Sequence, residues 1–242
     1  MQPSRIDFSR RTQPEDLPEQ MDQPCSRSEL RACLRDVARV NRLLLGYRPT
    51  FHWLESLRLE RLGQPVRILD VGCGNGDLLR RIEHWAHGRG IGVELTGLDV
   101  NPNCVELARE AANGAGRAEW MEGDVFSYFP KAPPHLVMSS LVAHHLPDGE
   151  LARFICWMEQ NAVVGWFIND LSRAPVPYHL FGWLARALRL HPFVQHDGPV
   201  SIARAFQPAD WRELCARAGL REDEVAIRAW MPARLCVSRS KA

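Results

Sequence analysis

Three glycines at alternate positions, Gly72, Gly74 and Gly76, stand between two carboxylates, Asp70 and Asp77. Ile68, Leu69 and Val71 before them read as a short buried strand, and Leu78, Leu79 and Ile82 after them as one face of a helix. A strand that ends in glycines and feeds a helix leaves a tight turn, bare backbone and unpaired N–H groups, all suited to a ligand. Asp99 closes a second apolar run, Leu95–Leu98, and lies 23 residues beyond Gly76. A carboxylate there suits a two-point hold on ribose hydroxyls, so the pair of strands points to a nucleoside. A dinucleotide fingerprint reads G-x-G-x-x-G and sets a pyrophosphate on the helix end. The spacing here is G-x-G-x-G, and acids beside the loop repel a pyrophosphate but welcome an ammonium or a sulfonium.

A second group could move protons. His144 and His145, in Ala143-His-His-Leu-Pro147, follow a fourth apolar run, where open α/β sheets place their ligands. Imidazole titrates near neutrality and can accept a phenolic or enolic proton. The same two residues also suit capping of a helix that starts at Asp148. Asn169 and Asp170 end a fifth apolar run and face the same crevice; His179, among Tyr178, Leu180 and Phe181, is a further base candidate. His144, His145 and Asp170 form the candidate catalytic set. The seven Cys occur singly, with no C-x-x-C pair and no His spacing that completes a zinc site, so no metal is expected.

The elements that must position these residues follow from periodicity. Strands at 66–71, 94–98, 118–121, 135–140 and 163–169 alternate with helices at 77–88, 102–113 and 148–161. Pro208 to Gly219 reads as a last crossover helix, and Val225–Met231 with Leu235–Ser238 as a closing antiparallel pair. The fold class is α/β: a Rossmann-like, seven-stranded, mostly parallel sheet with helices on both faces, plus an N-terminal helical lid. Residues 1–24, with Pro3, Pro14, Pro18 and Pro24, read as a loosely ordered arm. Residues 25–64 form the lid candidate: a capping box at Ser26-x-x-Glu29 opens one helix, and Thr50 suits the cap of a second that Gly63 closes. Packing on the sheet edge is the alternative role for this pair. Residues 65–242 form the main domain, with an aromatic, apolar insert at about 172–207. Within it Leu180, Trp183, Leu184, Ala187 and Leu188 fall at helical spacing; a pocket wall, a homodimer contact and a shallow membrane-surface helix all fit.

A net charge of +1, from 30 basic and 29 acidic groups, gives no whole-protein field for nucleic acid. The odd count of scattered thiols fits a reducing cytoplasm. With no 18-residue apolar run and no basic-then-apolar leader, a cytoplasmic chain without integral membrane association is expected.

Asp70-Val-Gly-Cys-Gly-Asn-Gly76 resembles the first motif of class I S-adenosylmethionine (SAM) dependent methyltransferases, and its neighbours come in that family's order. Leu98-Asp99-Val100-Asn101-Pro102 is similar to the ribose-binding acid and the helix start behind it. Gly123-Asp124-Val125 is similar to the loop whose Asp accepts from the adenine amino group. His135 to Leu146 looks like the fourth strand and the turn beneath the methyl-transfer site, and Trp166–Asp170 like the fifth strand. The likeness runs motif by motif over residues 66–171 and by topology elsewhere. It implies SAM as cofactor, with Asp70, Gly72, Gly74, Gly76, Asp99, Val100, Asp124, Val125 and Ser140 as its binding set. Among methyltransferases the chain most resembles those of ubiquinone and menaquinone biosynthesis and the small-molecule enzymes encoded beside polyketide synthases. That implies transfer to an oxygen, or an enolic carbon, of a small hydrophobic or aromatic acceptor, releasing S-adenosylhomocysteine. Methylation of protein or nucleic acid, and a non-catalytic SAM-binding regulator, stay open. The near-zero charge and the lack of an Asn/Asp-Pro-Pro-Tyr/Phe motif at strand four argue against base amino-methylation.

Overall fold

A computed structural model describes residues 6–114 and 116–241; Pro3 of the expected arm lies outside them. Seven strands form one sheet: β1 (Val66–Val71), β2 (Val93–Asp99), β3 (Glu119–Glu122), β4 (Leu136–Ser140), β5 (Gly165–Leu171), β6 (Ala226–Trp230) and β7 (Arg234–Ser240). Their order across the sheet is β3-β2-β1-β4-β5-β7-β6, and β7 alone runs against its neighbours. Strands β1, β4 and β5 are buried at nearly every position, as strands covered on both faces must be.

Helices α2 (Arg48–Ser56), α3 (Asp77–His87) and α4 (Pro102–Ala112) cover one face with Trp53, Leu79, Ile82 and Val105. Helices α5 (Asp148–Asn161) and α8 (Pro208–Arg217) cover the other with Leu151, Phe154, Trp211 and Leu214. A third group, α1 (Arg27–Leu43), α6 (Pro175–Ala187) and α7 (Pro192–Arg204), packs together through Cys33, Ala185, Leu190 and Val194. The insert at 172–207 is thus two helices. Pro175 and Pro192 sit in their first turns, where a missing N–H costs nothing.

Two expectations change. The capping box at Ser26 and Glu29 is present, but Thr50 caps nothing: α2 starts two residues earlier, and Thr50 is buried with its hydroxyl accepting from Asn169 Nδ2 at 3.0 Å. The arm has little regular structure beyond a turn at Gln20–Asp22, yet it is anchored. Its Gln20 and Met21 N–H groups donate to Asp197 at 2.8 and 3.0 Å, which sinks the Glu19 side chain into the protein.

The turn after β1 explains two of its glycines by packing. A Cβ on Gly72 would lie 2.2 Å from Val142, and one on Gly76 would lie 2.2 Å from the Trp120 ring. Gly76→Ala adds that clash at a φ of +71°, and should lower the free energy of unfolding by about 2–4 kcal/mol in a urea titration.

Candidate active site

At Gly74 the situation is different. Its φ is +55°, and a Cβ there would meet only Leu34 Cδ2, at 3.6 Å. The backbone is therefore bare toward an open space rather than toward a packed neighbour. Asp70, at the end of β1, is buried in the same place, and its Oδ1 has no hydrogen-bond partner. Burial first, and the nearby Asp99 second, push its carboxyl up to about 8. Asp77, the other acid of the loop, is already partnered: it accepts from Tyr47 Oη and from Arg81 Nε at 2.8 Å. Asp77 Oδ1 lies 3.8 Å from Arg80 Nη2, whereas Asp70 Oδ1 is buried without a hydrogen bond.

Asp99 ties the loop to β2. Its Oδ2 accepts from Gly74 N at 2.8 Å and its Oδ1 from Asn101 N at 2.9 Å. Burial raises its pKa against those two hydrogen bonds. Carboxylate oxygens accept more than one bond each, so both stay available to a diol. Val100 beside it is exposed. Asp124 is exposed and caps a short turn by accepting from Phe126 N at 3.0 Å, while Val125 is buried. Ser140 joins Asp70, Gly72 and Gly74 in the lining of a cavity of about 400 Å³.

His144 and His145 line the same cavity. His144 is buried, with Nδ1 2.8 Å from Asp170 Oδ1, and its backbone N–H donates to Asp170 Oδ2 at 3.3 Å. Burial would raise the Asp170 pKa, but the charge and hydrogen bond of His144 prevail and hold it down, so the carboxylate is ionised. An ionised partner keeps a proton on His144 Nδ1. His145, partly exposed, has Nδ1 3.0 Å from Asp22 Oδ1. Burial lowers its pKa, yet the Asp22 hydrogen bond and the Glu19 charge outweigh that and raise it. Both Nε2 atoms turn toward Glu19, at 3.6 Å for His144 and 3.8 Å for His145. The histidines do not cap α5, whose N-cap position is Pro147 without a side-chain bond.

Asp170 and Asn169 do not face the crevice as the sequence suggests. Asp170 is fully buried behind His144, and Asn169 donates to Gly46 O at 2.8 Å and accepts from Arg234 Nη1 at 3.2 Å. Asn169 thereby pins the segment between α1 and α2 to the sheet. His179 is exposed and outside the cavity lining. Leu34 and Val37 of α1, Leu44 just past its end, and Leu180, Phe181 and Leu184 of α6 make up much of the apolar wall.

Four residues of the site escaped the sequence reading: Arg11, Glu19, Asp22 and Arg204. Arg204 Nε donates to His144 O at 3.0 Å, and Arg11 Nη2 donates to Leu146 O at 2.8 Å. Arg204 ends the apolar helix run Val200-Ser-Ile-Ala203, and a lone cation in such a run signals a buried partner. The arm residues carry no comparable pattern. Glu19, His144 and His145 bring ligand atoms within 4.8 Å of one another, a metal-like spacing that was not expected. Arg204 Nη1 lies 3.4 Å from Glu19 Oε1, and Ser201 Oγ donates to that oxygen at 2.8 Å. A guanidinium against the same carboxylate opposes a divalent cation.

The unpartnered Asp70 oxygen and the open backbone at Gly74 fit the cationic amino-acid end of SAM. Below about 8 the free protein holds a proton on Asp70, whereas an ammonium needs the carboxylate. SAM binding should therefore release close to one proton near neutral pH, and affinity should climb as pH approaches 8. The sign for stability is the opposite. The unfolded chain loses this proton near 3.8, so burial of Asp70 costs stability progressively from there up to about 8. Calorimetry in buffers of different ionisation enthalpy should find the proton release absent in Asp70→Asn, with affinity down roughly ten-fold. Gly74→Ala should weaken SAM binding with a smaller loss of stability than Gly76→Ala.

Residues 68–161 match a family described as a methyltransferase domain. The trans-aconitate 2-methyltransferase of Streptomyces avermitilis is 32% identical over 155 residues, 60% of this chain and 55% of that one. The Mycobacterium tuberculosis protein of the same name is 27% identical over 73% of this chain and 63% of its own. The chain thus spans somewhat over half the length of these curated relatives. Among solved structures, the plantazolicin methyltransferase BpumL with bound S-adenosylhomocysteine superposes at a TM-score of 0.63, covering 89% of this chain and 95% of that one at 12% identity. The SAM-bound magnesium protoporphyrin IX methyltransferase of Synechocystis PCC 6803 gives 0.53 over 82% and 81%, at 15% identity. Those two likenesses speak to the fold. Motif order, matched domain and sheet topology thus agree on a methyltransferase domain at residues 68–161, carried on a fold like that of the solved methyltransferases.

Proposed function

We propose that the protein methylates an oxygen, or an enolic carbon, of a small apolar or aromatic acceptor. The observation that carries this reading is the cavity. One end is the Asp70–Gly74 loop, the floor holds Ser140, His144 and His145, and the walls are aliphatic and aromatic side chains from α1, α6 and α7. Arg234 is the only Arg or Lys in the lining among the described residues, and it is engaged by Asn41 and Asn169. Glu19, Asp77 and Asp197 also line the cavity and repel an anion. That lining is ill suited to a tricarboxylate such as trans-aconitate, the compound for which two of the relatives are named.

SAM supplies a methyl group already activated on a positive sulfur. The chain's own residues then have three tasks. The loop and Asp70 hold the amino-acid end, and Asp99 holds the ribose. Helices α1, α6 and α7 keep water from the acceptor, which concentrates and desolvates it. Nε2 of a histidine takes the acceptor's proton, while the methyl group that SAM would supply leaves its sulfur for the acceptor's oxygen or carbon, and the sulfur departs as the thioether of S-adenosylhomocysteine. His144 suits this role because Asp170 fixes its tautomer; His145, held by Asp22, stands beside it with ring centroids 4.3 Å apart.

Labelled methyl transfer from SAM to a panel of acceptors tests the reading. Apolar phenols and enols should exceed trans-aconitate in kcat/KM at least ten-fold. Leu184→Ala should raise the KM of such an acceptor by roughly ten-fold, from about 1–2 kcal/mol of lost apolar contact, with the SAM KM nearly unchanged. Preferred transfer to trans-aconitate, to protein or to nucleic acid would overturn the acceptor class, and tight SAM binding without turnover on any acceptor would favour the regulator.

A further inference from the structure

The cavity reaches the surface through an apolar patch. Of its lining residues, Val176 and Leu180 on α6 are 71% and 57% exposed, and Met231 in the β6–β7 turn is 86% exposed. Trp183, outside the lining, is 67% exposed and continues the stripe: Val176, Leu180 and Trp183 stand four and three residues apart, on one side of the helix. Leu43 and Leu45, flanking the cavity residue Leu44, are 56% exposed each. Single exposed apolar residues are ordinary; a cluster that rims a cavity mouth marks a contact surface.

The charges around this mouth have one sign. No Asp or Glu occurs in residues 37–54, 171–196 or 225–242, the three stretches that supply the patch, although the whole chain is nearly neutral. Arg42, Arg48, Arg186 and Arg189 in those stretches are all exposed, and the Arg48 guanidinium lies 5.8 Å from the Trp230 ring centre, next to Met231. A helix that shows an apolar stripe with arginines around it, and no acids, matches the interface of an anionic bilayer.

A second protein chain seated on the patch would seal the mouth. A lipid surface would instead be in continuity with the cavity's apolar wall. We infer that the exposed side of α6, with the β6–β7 turn and the Leu43–Leu45 segment, docks on an anionic lipid surface, and that an apolar acceptor enters the cavity from that surface. The docking stands apart from the acceptor assignment, because it is read without turnover.

The test is co-sedimentation of the full chain with vesicles of phosphatidylcholine alone and of phosphatidylcholine with phosphatidylglycerol. The wild type should bind the anionic vesicles, more weakly at high salt. Trp183→Asp should weaken that binding at least ten-fold, and Arg186→Gln with Arg189→Gln should remove the preference for the anionic lipid. Phe129→Asp, which removes an exposed aromatic on the β3–β4 connection outside the lining, should change nothing. SAM binding measured on each variant confirms that it is folded. Absence of vesicle binding by the wild type, or binding indifferent to Trp183→Asp, would overturn the proposal. So would a dimer in light scattering that Trp183→Asp splits, since the patch would then be a contact between copies.

Discussion

The turn after β4 hangs on two buried guanidiniums. Arg11 reaches in from the N-terminal arm to the carbonyls of Ala143, His144 and Leu146, and Arg204 reaches from α7 to the carbonyl of His144. The two are joined, since Arg11 Nε donates to Arg204 O at 2.8 Å. Cations out of water are costly unless paired, and here Asp148, Asp22 and Glu19 supply the pairing. Losing one member of such a set leaves a buried charge uncompensated, at about 3–5 kcal/mol. The histidine pair is therefore held by backbone contacts from both sides and by carboxylates on both Nδ1 atoms. Its ring positions depend on chain segments more than 50 residues away in either direction.

The same logic of paired and unpaired charge separates the two ends of the cavity. At the histidine end the acids have partners: Asp170 has His144, Asp22 has His145 and Arg204, and Glu19 has Ser201 and Arg204. At the loop end Asp70 has an oxygen without one. A buried acceptor left unsatisfied is costly, and a cationic ligand relieves that cost. The apolar wall between them comes from helices that also fasten themselves to the sheet, as when Asn169 holds Gly46 and Thr50.

Most of the nucleotide fold was legible because its signals are local. A glycine turn after a buried strand, an acid after the next, and alternation of apolar runs with helical periods fixed five strands and their helices within one or two residues. The closing β6–β7 pair followed from two apolar runs, Val225–Met231 and Leu235–Ser238. What escaped depends on distance in sequence. Gly72 and Gly76 look like glycines kept for a ligand alone until Val142 and Trp120 are seen against them. Asp170 looks like a crevice residue until the fold turns its side chain behind His144. Pro175 and Pro192 alone do not mark the two helices of the insert, because a helix start and a break share the same residue. Glu19 and Arg11 sit in a polar, proline-bearing stretch with no periodicity, and only the Asp197 and Arg204 contacts reveal them.

The claim that the clamped histidine pair takes the acceptor's proton is tested most directly by the pH dependence of single-turnover methyl transfer. For the wild type the rate should rise with pH while His145, whose pKa is raised by Asp22 and Glu19, loses its proton, and level off once it is neutral. His144→Ala or His145→Ala should keep SAM binding and lose about 10²–10⁴-fold in rate below that plateau, the loss shrinking at high pH as the acceptor ionises unaided. Rates within a few-fold of wild type in both variants, with the same pH profile, would contradict the account and leave proximity and desolvation as the whole of catalysis.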